Sequence, residues 1–516
     1  MSEQDAIQRT ILPIPDRGYV GLTTYDAKDP DTKFPPIEPL RPPKGAPNVL
    51  IVLLDDVGFA ASSAFGGVIS TPTAERLAES GLKFNRFHTT ALCSPTRQAL
   101  LTGRNHHSVN MGGICEIATS APGYTSILPK SKAPLPMTLK LNGYSTAQFG
   151  KCHEVPVWET SPMGPFDQWP SGGGGFEYFY GFLGGETNQF YPAIYEGTTP
   201  IEPDKTPQEG YHFTEDMTNK AIKWVRQQKA LMPDKPFFIY FAPGACHAPH
   251  HVPKEWGDKY KGKFDQGWDK LREEIFLRQK ELQVIPGNAE LTKRPEEVPA
   301  WDGMPAELKP ILARQMEIYA AFLDHTDHHI GRLVDALKEL EVLDDTLVLY
   351  IIGDNGASAE GTLTGSFNEL AMLNGMAAIE TVEFMKSRID EFGGPHAYNH
   401  YAVGWAHAMD TPTNGPSKSR RIGAARATAR SCTGPTASKP REKSVRNSLT
   451  SSMSPRRSLK RQVCPIRRLS IACSRPPWRA SACSMPSTPA RRLIDTRPSI
   501  SRCFATGAST TRAGLP

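Results

Sequence analysis

The sequence predicts an α/β fold, a mostly parallel central sheet with helices on both faces. The first sign is three continuous apolar runs, Val49-Leu50-Ile51-Val52-Leu53-Leu54, Phe237-Phe238-Ile239-Tyr240-Phe241 and Leu347-Val348-Leu349-Tyr350-Ile351-Ile352, each of which reads as a strand buried on both sides. The second is the amphipathic helical stretches between them, since strands alternating with helices build parallel sheets. The third is that every run ends in polar groups: Asp55-Asp56 after the first, His247 after the second and Asp354-Asn355 after the third. Ligands in such sheets bind beyond the carboxyl ends of the strands, so these groups mark a candidate site.

Taken in order, residues 1–46 form an arm rich in proline (Pro35, Pro36, Pro39, Pro42, Pro43), expected to wrap the surface in extended conformation. Residues 47–412 form the α/β domain. After its first strand, Thr71 and Pro72 read as the cap and first turn of a helix ending at Gly81. Leu82 to His88 alternates as a strand, and Cys93-Ser94-Pro95-Thr96-Arg97 follows just ahead of an apolar helical run. Tyr144 to Phe149 reads as a short strand leading into a loop, Gly150-Lys151-Cys152-His153. The longest helix is predicted from Ala313 to Leu340, with Met316, Tyr319, Ala320, Leu323, Asp327, Ile330, Val334 and Leu337 near helical spacing. Its Asp324-His325 and Asp327-His328-His329 resemble a metal cluster but are expected to form a solvated helix face. Gly172 to Gly175, with Phe176, Tyr178, Phe179 and Tyr180, is expected to form an aromatic wall near a substrate.

The residue types at the sheet edge suit one chemistry. Adjacent carboxylates repel one another unless they share a cation or proton. Asp55, Asp56, Asp354 and the amide oxygen of Asn355 make an all-oxygen site suited to Ca²⁺ or Mg²⁺. Cys93 stands at a helix entrance, where free N–H groups and the macrodipole favour negative charge. Adding Arg97, Lys151, His153 and His247 gives a site for a tetrahedral oxyanion ester.

In order and approximate spacing, Asp55-Asp56, Cys93-x-Pro95-x-Arg97, Lys151-x-His153, His247 and Gly353-Asp354-Asn355-Gly356 resemble the type I sulfatases, the arylsulfatase family of the alkaline phosphatase superfamily, over residues 46–412. The resemblance implies an alkaline-phosphatase-like sheet and a sulfuric ester hydrolase acting on a small sulfate ester. It implies that Cys93 is oxidised by a formylglycine-generating or equivalent maturation enzyme to formylglycine, whose hydrated aldehyde supplies the oxygen nucleophile. It further implies one calcium ion held by Asp55, Asp56, Asp354 and Asn355 and touching residue 93. Arg97 would steady the nucleophile's oxygen, Lys151 and His247 would grip sulfate and neutralise the leaving oxygen, and His153 would help regenerate the aldehyde. A phosphonate monoester or phosphodiester hydrolase of the same superfamily is the alternative activity. Departures from the family pattern are Cys152, where many relatives carry Trp, and Glu154, where an apolar residue is common.

Charge divides the chain. Of 59 basic and 54 acidic residues, 22 and 2 fall in residues 413–516, leaving 37 and 52 in the preceding part. Past Pro412 hydrophobic periodicity stops, Trp478 and Phe504 are the last aromatics, and five of the nine cysteines appear. This composition reads as a reading-frame slip that replaced the native C-terminus, including the family's last strand, its small subdomain and another active-site lysine. Ser417 and Lys418 occupy that lysine's neighbourhood and are not assigned its role. Such a product could also be inactive, because an uncovered sheet edge invites aggregation. Without interleaved aromatics the tail is not read as a nucleic-acid arm. The front cysteines, Cys93, Cys115, Cys152 and Cys246, include no C-x-x-C pair, which argues against a disulfide framework or structural zinc. The start lacks a secretion pattern and no run approaches a membrane span, so a cytoplasmic chain without membrane or nucleic-acid partners is expected.

Overall fold

The computed structural model describes residues 9–16, 21–33, 39–413 and 427–433, the last as backbone alone. Among these residues nine strands form one sheet: β1 (Asn48–Leu53), β2 (Leu82–His88), β3 (Ser145–Cys152), β4 (Tyr178–Leu183), β5 (Ile194–Glu196), β6 (Thr199–Ile201), β7 (Phe237–Ala242), β8 (Thr346–Ile352) and β9 (Ala427–Thr433). Their order is β2-β9-β8-β1-β7-β3-β4-β5-β6. The five strands β8, β1, β7, β3 and β4 are mutually parallel, while β5, β6 and β9 pair antiparallel. The mostly parallel sheet predicted from the apolar runs is therefore present, with all three runs at or beside its centre.

Register aligns the strand ends that matter. Val52 lies opposite Phe241, Leu53 opposite Ile351 and Gly150 opposite Ala242. The polar residues after β1, β7 and β8, and the end of β3, thus emerge on one edge.

Among the described residues there are ten helices: α1 (Pro72–Glu79), α2 (Cys93–Thr102), α3 (Leu135–Lys140), α4 (Phe213–Leu231), α5 (Lys254–Asp258), α6 (Gly267–Glu281), α7 (Lys309–Glu339), α8 (Glu369–Leu373), α9 (Val382–Ser387) and α10 (Val403–Met409). Strand alternation sends residues such as Leu50, Val52, Phe237, Ile239 and Val348 into the larger core with α4 and α7, and Ile51, Leu53, Phe238, Tyr240 and Ile351 into a second core. Burial on both faces explains why these strands are unbroken apolar runs. No helix among the described residues is long and apolar enough to cross a membrane.

Three local expectations are corrected. Lys151 lies inside β3, which runs to Cys152, instead of in a following loop. Gly150 makes this possible: its φ is 95°, and a Cβ there would lie 2.1 Å from Ala242 O, so only glycine suits this close approach to β7. The histidine-rich stretch of α7 is solvated only at His328 and, in part, Asp324. His325, Asp327 and His329 are buried; Asp327 accepts hydrogen bonds from Thr73 N (2.8 Å), Ala74 N (3.2 Å) and Tyr350 Oη (3.0 Å), which caps α1 across the packing interface.

The aromatic wall is likewise core. Phe176 stacks near Phe238 and Tyr240, and Phe179 and Tyr180 are buried on β4. Past residue 412, the described residues 427–433 supply β9, between β8 and β2. A ladder is made by backbone groups, so a segment without hydrophobic periodicity can still complete a sheet. Ser417, Lys418 and the other tail residues lie outside the described set.

Candidate active site

The chain turns sharply after β1. Asp56 has φ 50°, in the left-handed region that Asp tolerates better than most residues. Asp55 N donates to Ala245 O (2.8 Å), Tyr319 Oη donates to Asp56 O (3.0 Å), and Asp56 N donates to Asp354 Oδ1 (3.3 Å). Two strand ends are thereby stitched together. The Nδ2 of Asn355 donates to Asp56 Oδ1 (2.6 Å) and to Gly356 O (3.0 Å), which places its amide against the same carboxylates. Asp55, Asp56 and Asp354 are fully buried, and each offers an oxygen within 4.8 Å of the others'.

Two buried cations face them. Arg97 reaches Asp354 Oδ2 through Nε (3.0 Å) and Nη2 (2.9 Å) and approaches Asp55 Oδ1 (3.4 Å). Lys151 Nζ is 2.5 Å from Asp55 Oδ2. Burial would raise the Asp55 carboxyl, but the charges of Lys151 and Arg97 outweigh it and hold it low. Burial and the neighbouring Asp55 charge push Asp354 well above the usual carboxylate range. Three carboxylates against two cations leave negative charge uncompensated in a dry place, which a divalent cation or a proton must meet. The donor set is all oxygen and so fits calcium. The sulfur of Cys93 does not come within 4.8 Å of all three oxygens, so among the described residues the three aspartates, with Asn355 beside them, form the cation site and residue 93 stands apart from it.

Cys93 opens α2 and is buried, with its Sγ 3.0 Å from His153 Nδ1. The far nitrogen of that ring, Nε2, meets Glu116 Oε2 at 2.8 Å and Oε1 at 3.0 Å. Burial would raise the thiol, but His153 and Lys151 bring it down to about 6. Burial would lower His153, but the opposing Cys93 and Glu116 lift it to about 9. Arg97 reaches Asp354 and Asp55, so it braces the carboxylates instead of residue 93. His247, after β7, stands at the open side: Nε2 is 3.7 Å from Asp56 Oδ2, and its ring is partly exposed.

Asp55, Asp56, Cys93, Arg97, Lys151, His153, His247, Asp354 and Asn355 thus lie at one edge of the sheet. Glu116 was missed. It sits in a one-turn 3₁₀ segment, Cys115–Ile117, 37 residues from His153, and no spacing rule connects them. Tyr319 was read as a core position on the α7 stripe, but its hydroxyl serves the Asp56 turn.

The Sulfatase family profile matches residues 47–410. The chain belongs to the sulfatase family. An uncharacterized sulfatase of Schizosaccharomyces pombe is 32% identical over 383 residues, covering 71% of this chain and 66% of that protein. An arylsulfatase of Klebsiella aerogenes is 28% identical over 380 residues, covering 71% of this chain and 76% of its own length. This sulfatase-family chain thus spans just under two thirds of the first relative. Among solved structures, Ps i-CgsB matches at 20% identity with a TM-score of 0.48, over 76% of this chain and 66% of that one.

Proposed function

We propose that the chain is a sulfuric ester hydrolase acting on a small sulfate ester, using formylglycine at position 93 and one calcium ion. The observation that carries this reading is the convergence of Asp55, Asp56 and Asp354 with Lys151, Arg97, His153 and Cys93 in one buried cluster drawn from four distant stretches. Family membership supports it.

Asp55, Asp56 and Asp354, with Asn355, would hold the cation, which when bound supplies Lewis acidity and positive charge at the ester's oxygen. Residue 93, once oxidised by a maturation enzyme, supplies a hydrated aldehyde as nucleophile. His153 Nδ1 already faces the side chain at position 93, so it is placed to take and return a proton there. Glu116 fixes the ring through Nε2 and stabilises its protonated form. Lys151, held by Asp55, presents a fixed positive charge to the tetrahedral anion without reorganising during reaction. Arg97 keeps Asp354 and Asp55 in place, and His247, on the open side, is placed to donate to the leaving oxygen.

A phosphonate monoester or phosphodiester presents a similar singly charged tetrahedral centre, and charged side chains alone do not distinguish it from a sulfate ester. Two measurements on protein made in its own host test the reading. Peptide mass spectrometry across residue 93 is expected to show the aldehyde or its hydrate. Turnover of an aryl sulfate is expected to exceed that of the matching aryl phosphodiester. Unmodified thiol with no turnover supports an inactive product; faster phosphodiester turnover supports the phosphoryl-transfer alternative.

A further inference from the structure

A cavity of about 640 Å³ lies on the α2 face of β3 and shares none of the residues assigned to the cation, the nucleophile or the anion grip. Glu154 lines it. This side chain is only 8% exposed, and neither carboxylate oxygen meets an N–H or O–H donor. Arg97 contributes favourable charge but no hydrogen bond to it. Burying an unpaired carboxylate costs several kcal/mol, so such a group is ordinarily met by a donor. The adjoining Cys152, at 3% exposure, sets its thiol against the carboxylate, but a thiol is a weak donor and brings no positive charge.

The rest of the lining says what kind of donor fits. Phe166 and the buried Phe176 provide an aromatic flank, and a cation beside such rings is favoured. Toward solvent the lining carries Lys130, Lys132 and Asp167; Lys130 and Asp167 are exposed and Lys132 is partly so. Negative charge is therefore deep, while the mouth has an excess of positive charge. Volume and composition fall within the usual range for small-molecule sites, about 300–1,000 Å³.

We propose that this cavity is a second ligand site for a small zwitterion, its ammonium group bound by Glu154 and its anionic end by Lys130 and Lys132.

The test is isothermal titration of the full chain with 4-(aminomethyl)benzoate, alongside 4-methylbenzoate, which lacks the ammonium, and benzylamine, which lacks the carboxylate. Saturable binding of the zwitterion is expected, at least about tenfold tighter than either control, because each removes a charged contact of roughly 1.4 kcal/mol or more. Glu154→Gln, checked for folding by circular dichroism, is expected to weaken the zwitterion about tenfold and leave 4-methylbenzoate unchanged. Should that variant fail to fold, the surface pair Lys130→Ala/Lys132→Ala is expected to weaken the zwitterion while leaving benzylamine unchanged. No saturable binding of the zwitterion up to about 10 mM, or equal affinity for all three compounds, overturns the proposal. So does binding unaffected by Glu154→Gln, or by the lysine pair where the pair is the variant used.

Discussion

Replacing Asp327 by Asn tests whether buried charge in α7 is tolerated for the sake of capping α1. The carboxylate accepts from Thr73 N, Ala74 N and Tyr350 Oη, yet burial still raises it from 3.8 to about 6. The folded state therefore holds the proton more tightly than the unfolded one. Stability contributed by the protonated acid is full below about pH 4 and is lost as pH rises toward 6. About two pKa units at 1.36 kcal/mol each give roughly 3 kcal/mol; the side chain is fully buried, so solvent screening does not reduce this much. Asn keeps one accepting oxygen for Ala74 N and Tyr350 Oη but turns an amide nitrogen toward Thr73 N, a pH-independent loss of about 1–3 kcal/mol. Urea unfolding of both proteins at half-unit steps from pH 4.5 to 7.5 separates the two effects. The wild-type curve is expected to fall relative to the variant by about 2 kcal/mol across this range, the rest of the total lying below pH 4.5. Parallel curves between pH 4.5 and 6.5 would refute the reasoning, whatever the constant offset.

Three further outcomes are expected. Glu116→Gln removes the charge opposite His153 Nε2 while keeping a hydrogen-bonding group; kcat for an aryl sulfate should fall about 10–100-fold, the value of one charge-assisted hydrogen bond of about 1.5–3 kcal/mol, and an unchanged kcat would show that His153 does not need this brace. Calcium at about 100 times its Kd should stabilise the chain by about 2.7 kcal/mol, seen as a raised Tm that a chelator reverses; Asp354→Asn should lose most of this response, and a response equal to wild type would place the ion elsewhere. Gly150→Ala must accommodate a Cβ 2.1 Å from Ala242 O at φ 95°; backbone strain alone is worth about 1–3 kcal/mol, so the variant should lose at least that in denaturation or fail to fold, and near-wild-type stability would contradict the β3–β7 packing.

How much was legible depended on how local the cause was. The central strands could be read because burial on both faces leaves an unbroken apolar run, and their polar ends followed from the rule that parallel sheets gather loops at one edge. The order of motifs then pointed to Asp55, Asp56, Cys93, Arg97, Lys151, His153, His247, Asp354 and Asn355. The errors share one origin. His325, Asp327 and His329 look solvated as letters, since charge and imidazole favour water, but packing α7 over α1 and α4 buries them. Lys151 looked like a loop residue because a lysine inside a buried strand is implausible until Asp55 is known to lie 2.5 Å away.

The sequence by itself determined the sheet's central strands, the glycine before Lys151, and the supply of hard-ligand, cationic and nucleophilic groups, because these follow from short-range sterics, side-chain period and chemical type. Only the tertiary structure decided who meets whom: Asp354 with Arg97, Glu116 with His153, Tyr319 with the Asp56 turn, and Glu154 with a cavity. Those pairings join residues tens to hundreds of positions apart, and the chain's letters carry no record of such distances until the strands come into register.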